Sequence, residues 1–142
     1  QADFTLEVKD GMDIALCILE KETLKFQFAG AHNPLYLIRN GELTEIKGDK
    51  LFIGDTTDES KFTSHEMQLQ KGDCIYIFSD GFADQKGGTD NKKFYYPPFQ
   101  KLLLDIHKNP MEQQLQKLDK TITEWIGRHE QIDDIMVFGV RI

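Results

Sequence analysis

Asp73-Cys74-Ile75-Tyr76-Ile77-Phe78-Ser79-Asp80-Gly81-Phe82-Ala83-Asp84 is an almost continuous apolar run that stops abruptly at a serine and an aspartate. A strand buried on both faces has this composition, because neither side of it can present polar groups to water. The stretch therefore predicts a central strand of a layered sheet, with two carboxylates carried just past its end. A rigid sheet holds such groups in place, and carboxylate oxygen is the donor that Mg²⁺ and Mn²⁺ prefer. Gly81 lets the backbone turn sharply or approach an ion closely. An Asp-Gly pair after a strand is equally an ordinary turn, so the pair alone does not define a site.

Working upstream, 62–69 and 73–79 are predicted to pair around Gln70-Lys71-Gly72. Before them, Leu35-Tyr36-Leu37-Ile38-Arg39 and Leu43-Thr44-Glu45-Ile46 flank Asn40-Gly41, the pair best suited to positive φ in a two-residue hairpin turn. An earlier hairpin joins the apolar run at 13–19 to the alternating Leu24-Lys25-Phe26-Gln27-Phe28 through Lys21-Glu22-Thr23. Downstream the period changes. Phe99, Leu102, Leu103 and Ile106 share one helical face after Pro97-Pro98, and Asn109-Pro110 separates that helix from a second over 111–127. In the second, Leu115, Leu118, Ile122 and Trp125 form an apolar stripe expected to pack on a sheet. The chain closes in a strand, Ile135-Met136-Val137-Phe138-Gly139-Val140-Arg141-Ile142. Strands, then two helices, then a strand indicate an α+β fold, an antiparallel β-sandwich flanked by helices, in one domain over 1–142.

Composition narrows the function. A chain of 142 residues with a formal charge of −7 lacks the clustered Lys and Arg that phosphate backbones require, which argues against nucleic-acid binding. No run reaches the ~18 apolar residues of a membrane span, and no signal peptide is evident, so this segment is expected to make no membrane contact. Cys17 and Cys74, each inside an apolar strand, read as reduced core residues and suit a cytoplasmic setting.

Two further segments carry candidate chemistry. In Gln131-Ile132-Asp133-Asp134-Ile135-Met136-Val137, adjacent carboxylates lead into the last strand. Neighbours in extended chain face opposite ways, so one of them, Asp133, is expected to join Asp80. In Ala29-Gly30-Ala31-His32-Asn33-Pro34, small residues interrupt two strands; Gly30 and Pro34 suffice for the turn, while His32 is placed to approach a site. His32 has no metal-ligand spacing to His65, His107 or His129, which argues against a zinc centre.

Taken in order, Asp10-Gly11-Met12-Asp13-Ile14-Ala15-Leu16, Ala29-Gly30-Ala31-His32-Asn33-Pro34-Leu35-Tyr36, Phe78-Ser79-Asp80-Gly81-Phe82-Ala83-Asp84 and Asp133-Asp134-Ile135-Met136-Val137 resemble the SpoIIE-type branch of the protein phosphatase 2C superfamily. The resemblance spans nearly the whole chain and corresponds to the C-terminal two-thirds of that domain. It implies two Mn²⁺ or Mg²⁺ ions at the sheet ends, with Asp80 and Asp133 as ligands and Asp84 serving an additional, weaker ion. The implied reaction is attack by metal-activated water on a phosphoserine or phosphothreonine, with no covalent enzyme intermediate.

The resemblance also implies an upstream segment bearing a Gly-Asp motif and an Asp-x-x-Gly-His-Gly motif, whose aspartate bridges both ions. Asp10 does not replace it, since it precedes the central strand of the family. The expectation is a phosphoprotein phosphatase of bacterial signalling whose 142-residue fragment is inactive by itself. An upstream sensor domain is expected in the parent, with a membrane anchor there compatible with this segment's composition, and unpaired sheet edges offer a surface for a homodimer. The competing readings are a non-catalytic, phosphatase-like interaction or dimerisation module and a structural β-sandwich with incidental Asp-Gly turns.

Overall fold

The computed structural model describes residues 11–54 and 61–142. Asp10 therefore lies outside the described residues.

β1 (Ile14–Glu20) and β2 (Lys25–Ala31) form an antiparallel hairpin in which Cys17 faces Phe28. β3 (Leu35–Arg39) and β4 (Glu42–Ile46) form the second, with Arg39 opposite Glu42. Its turn holds Asn40 at φ 53° and Gly41 at φ 80°, the paired positive angles of a type I′ turn. This is what Asn-Gly between two apolar runs predicts.

The next two strands correct an expectation. β5 (His65–Gln68) and β6 (Cys74–Phe78) do not pair with each other. β5 joins β2, giving the order β1-β2-β5, whereas β6 lies between β3 and the last strand. The connection is an arch between two sheets rather than a hairpin. Leu69, 2% exposed, drops between the layers, and Asp73 anchors the arch across to β3. The Arg39 guanidinium donates to both Asp73 oxygens at 2.9 and 2.6 Å, and the Gln70 amide donates to the same carboxylate at 2.8 Å.

Past β6 come a single helical turn, α1 (Gly81–Asp84), and a short ribbon of β7 (Lys86–Gly87) and β8 (Lys92–Lys93). Two helices follow, α2 (Tyr96–Ile106), with prolines in its first turn, and α3 (Met111–Ile126). β9 (Val137–Arg141) then completes the second sheet in the order β4-β3-β6-β9.

The layers run three-stranded sheet, four-stranded sheet, helices, and the four-stranded sheet serves two cores. Toward the helices, Tyr36, Ile38, Cys74, Tyr76 and Phe78 pack with Phe99, Leu103, Leu118 and Ile122. Toward the other sheet, Leu35 and Ile75 meet Phe26 and Phe28. The near-continuous apolar character of β6 follows, since alternate residues enter opposite cores. Both cysteines are free; Cys17 belongs to the inter-sheet core and Cys74 to the helical one. The α3 stripe departs from expectation at one position. Leu118 and Ile122 are buried and Trp125 half-buried, but Leu115 is 66% exposed, at an open groove between α3 and β9 that Val137 and Phe138 also line. Among the described residues no helix is long and apolar enough to cross a membrane.

Candidate functional site

The end of β6, the start of β1 and the approach to β9 meet at one corner of the sandwich. Ser79 builds the junction. Its amide donates to Met136 O at 3.0 Å, its hydroxyl donates to Asp134 O at 2.7 Å, and the Met136 amide donates back to that hydroxyl at 2.9 Å. One small side chain thereby ties the segment before β9 to the end of β6. Gly81 permits the rest of the approach: a Cβ at this position would sit 2.2 Å from Asp134 O, so any other residue would force the two segments apart. Asp80 O accepts the Asp84 amide at 2.9 Å, closing the turn that carries both carboxylates.

The corner is electrostatically negative. Desolvation of the inner side of Asp80, and then the charges of Asp133, Asp84 and Asp13, push its carboxyl above the usual carboxylate range. Asp133, rather than Asp134, acts on Asp80. Its own Oδ1 accepts the Asp134 amide at 2.7 Å, which fixes its side chain beside that backbone. Asp84 has one cationic partner, Lys93 Nζ at 3.0 Å. Asp13 was not singled out as a site residue from sequence. The signal was present, since an aspartate directly precedes an apolar strand there, as one directly follows it at Asp80.

A second group was also not singled out. Tyr96, at the start of α2, lies in the fields of Asp80, Asp84 and Glu45, and burial followed by these charges raises its hydroxyl. Tyr95 before it is held at φ 70° and ψ 156°, a region populated almost solely by glycine and costing on the order of 1–3 kcal/mol for other residues. His32 stands at φ 58° and stacks on Phe52 at 5.9 Å between ring centroids, and its amide donates to Asp49 O at 2.8 Å. It does not enter the set of groups acting on Asp80.

The donor set suits a hard dication. Asp80, Asp84, Asp133 and Asp13 supply only oxygen, and their mutual repulsion at Asp80 is what a divalent ion relieves. The set is also sparse: among the described residues no three histidine, cysteine, aspartate or glutamate side chains are gathered closely enough to enclose an ion. Mg²⁺ and Mn²⁺ bound through one or two carboxylates, with water completing the shell, are compatible with such a set.

Residues 3–142 match the family described as Stage II sporulation protein E (SpoIIE). Among solved structures the chain is similar to the SiaA-PP2C domain of Pseudomonas aeruginosa, with 32% identity and a TM-score of 0.85 over 93% of this chain and 52% of that one. It is also similar to the Mn-presoaked phosphatase domain of the cell fate determinant SpoIIE from Bacillus subtilis, with 17% identity and a TM-score of 0.69 over 92% and 56% of the two chains. RsbX in complex with magnesium gives 14% identity and a TM-score of 0.62 over 91% and 55%. The last two likenesses establish the fold, that of protein phosphatase 2C domains. The chain spans about half the length of these structures. No curated protein sequence matches it.

Proposed function

This chain belongs to the Stage II sporulation protein E (SpoIIE) family, and from that premise we propose that it forms part of a metal-dependent phosphatase acting on phosphoserine or phosphothreonine in proteins. What carries the reading is the family match over residues 3–142 together with the likeness in fold to protein phosphatase 2C domains; the charges of Asp133, Asp84 and Asp13 acting on Asp80, at a sheet end tied by Ser79 and Gly81, support it. Asp80 and Asp133 would hold Mn²⁺ or Mg²⁺, and Asp84 would serve a further, weaker ion. The bound ions would supply an activated water and offset charge on the phosphoryl oxygens. The chain's own residues orient the carboxylates: the Ser79 hydroxyl fixes the backbone that carries Asp133, and the α1 turn fixes Asp80 and Asp84.

The same reading gives the protein a phosphoprotein substrate, a cytoplasmic site of action and, in the parent, an upstream sensor segment. The test is hydrolysis of p-nitrophenyl phosphate by the full-length protein across Mn²⁺ concentration, repeated with Asp80→Asn and Asp133→Asn. An amide keeps the shape of the carboxylate and removes the charge that holds a dication. Loss of about 100-fold or more in each variant is expected, equivalent to about 2.7 kcal/mol. Activity retained in both variants would sink the assignment. The exposed apolar residues Leu16 and Ile18 on β1 and Phe138 on β9 favour the second reading, a non-catalytic interaction module. An inert full-length protein would select it.

A further inference from the structure

Gln85 follows directly on Asp84 and is completely buried, at 0% exposure. A side-chain amide out of reach of bulk water is tolerated only where protein groups serve it. Its Nε2 donates to Lys86 O and to Glu130 O, each at 2.9 Å. The backbone of the same residue is a junction as well. Its amide closes α1 on Gly81 O at 3.0 Å, and its carbonyl accepts Trp125 Nε1 and the Phe94 amide, both at 2.9 Å. One residue therefore joins the turn that carries Asp80 and Asp84, the end of α3, and the segment after α3 that leads to Asp133. That segment has no helix or strand of its own between α3 and β9. Asp133 hangs between two ties: Glu130 O on Gln85 before it, and Asp134 O on Ser79 after it. Both ties start from the stretch of chain that bears Asp80 and Asp84.

We propose that Gln85 is a positioning residue for the candidate metal site, and that its bond to Glu130 O sets where Asp133 stands relative to Asp80 and Asp84. The inference rests on the phosphatase reading given above, which assigns these carboxylates to an ion. Packing does not explain an amide at this position. Its Oε1 has no donor among the described residues, a penalty that an apolar side chain of the same length would avoid. The bonds to Trp125 and Phe94 do not explain it either, because they use the main-chain carbonyl that any residue would supply. What the amide alone supplies is the long-range bond to Glu130, across 45 positions of sequence. The platform behind it is tight: a Cβ at Gly87 would sit 2.0 Å from Trp125 O, and the Gly88 amide donates to that carbonyl at 3.0 Å. The ribbon and the end of α3 thus hold Gln85 from one side while it holds the Asp133 segment on the other.

The test compares Gln85→Met with Trp125→Phe in the full-length protein. Methionine keeps the length and loses the donors, whereas phenylalanine at 125 removes a bond to the same residue and leaves Glu130 O untouched. Hydrogen–deuterium exchange in EDTA, read by mass spectrometry, is expected to quicken by about tenfold across 131–136 in Gln85→Met and to stay within about twofold there in Trp125→Phe. Unchanged exchange in Gln85→Met, or an equal rise in both variants, overturns the proposal. Calorimetric titration with Mn²⁺ reads the consequence. Affinity is expected to fall by about tenfold in Gln85→Met, and the change should add nothing to the loss in Asp133→Asn, since a residue that acts through Asp133 has no route without it. Additive losses mark general loosening and overturn the assignment. If Gln85→Met does not fold, Gln85→Asn, a methylene too short to reach Glu130 O, takes its place with the same expectations. Absence of Mn²⁺ binding by the unaltered protein would sink the phosphatase reading, and the exchange measured in EDTA would still decide whether Gln85 holds the Asp133 segment.

Discussion

Ser79 Oγ has two bonds to the backbone of the segment before β9 and none to a carboxylate, yet the position of Asp133 relative to Asp80 depends on it. Removing the hydroxyl leaves Asp134 O and the Met136 amide to water and loosens the loop without touching a proposed ligand. Ser79→Ala is expected to weaken Mn²⁺ binding to the full-length protein by about tenfold, about 1.4 kcal/mol, with Ser79→Thr restoring most of it. Calorimetric titration reads this directly, and unchanged affinity would reduce Ser79 to a local strand connector. Two of the perturbed carboxylates, Asp80 and Asp73, predict opposite responses to pH. Asp80 is raised on folding, so without an ion the folded state binds its proton more readily than the unfolded state, and its contribution to stability falls as pH rises through the raised value. Metal-free Asp80→Asn should therefore melt higher than the unaltered protein at neutral pH and lose any Mn²⁺-induced rise in Tm. For Asp73, burial acts upward, but the Arg39 guanidinium and the Gln70 amide outweigh it and hold the carboxyl low. Its stabilisation is present above the unfolded value of about 3.9 and is lost as pH falls through the lower folded value. Thermal melts between pH 7 and 2 check both signs.

Among the elements, α3 offers an internal control. Leu118 and Leu115 lie on the same predicted stripe, but the first is 8% exposed and the second 66%. Leu118→Ala should cost about 2–4 kcal/mol by denaturant unfolding, and Leu115→Ala within about 0.5 kcal/mol. Equal losses would place Leu115 in a contact that the present chain does not show. The contrast also marks how far the sequence was legible. Asn40-Gly41 named its turn because two consecutive positive φ angles admit few other residues, and both helices followed from period and prolines. The pairing of β5 with β6 was misread, since a short polar connection between apolar runs looks the same whether it folds a hairpin or crosses between layers. What separates the two cases is the Arg39–Asp73 link, which spans 34 positions and leaves no local trace. The aspartates at strand ends were visible, whereas Tyr95 and Tyr96 were not, because a strained conformation is imposed by surroundings rather than encoded at the residue.

At the scale of the molecule, the negative corner is only partly furnished. With no three ligating side chains gathered among the described residues, these 142 residues alone are expected to show no Mn²⁺-dependent phosphate-ester hydrolysis, while the full-length protein shows it. The proposed pair of dications, about 3.5–4 Å apart, would repel one another unless anions bridged them, and Asp80 and Asp133 are not expected to supply those bridges. Robust turnover by the purified 142-residue chain would show that the corner suffices. The sheet that bears the corner has a further consequence, which concerns time. β6 is the wall shared by both cores, and its partner β9 lies 59 positions further along the chain, from Phe78 to Val137. At roughly 5–20 residues per second of synthesis, that strand follows about 3–12 s later. For those seconds the most apolar strand of the protein has one open edge, which makes the nascent chain a client for holding factors and makes the last five-residue strand the step that releases it.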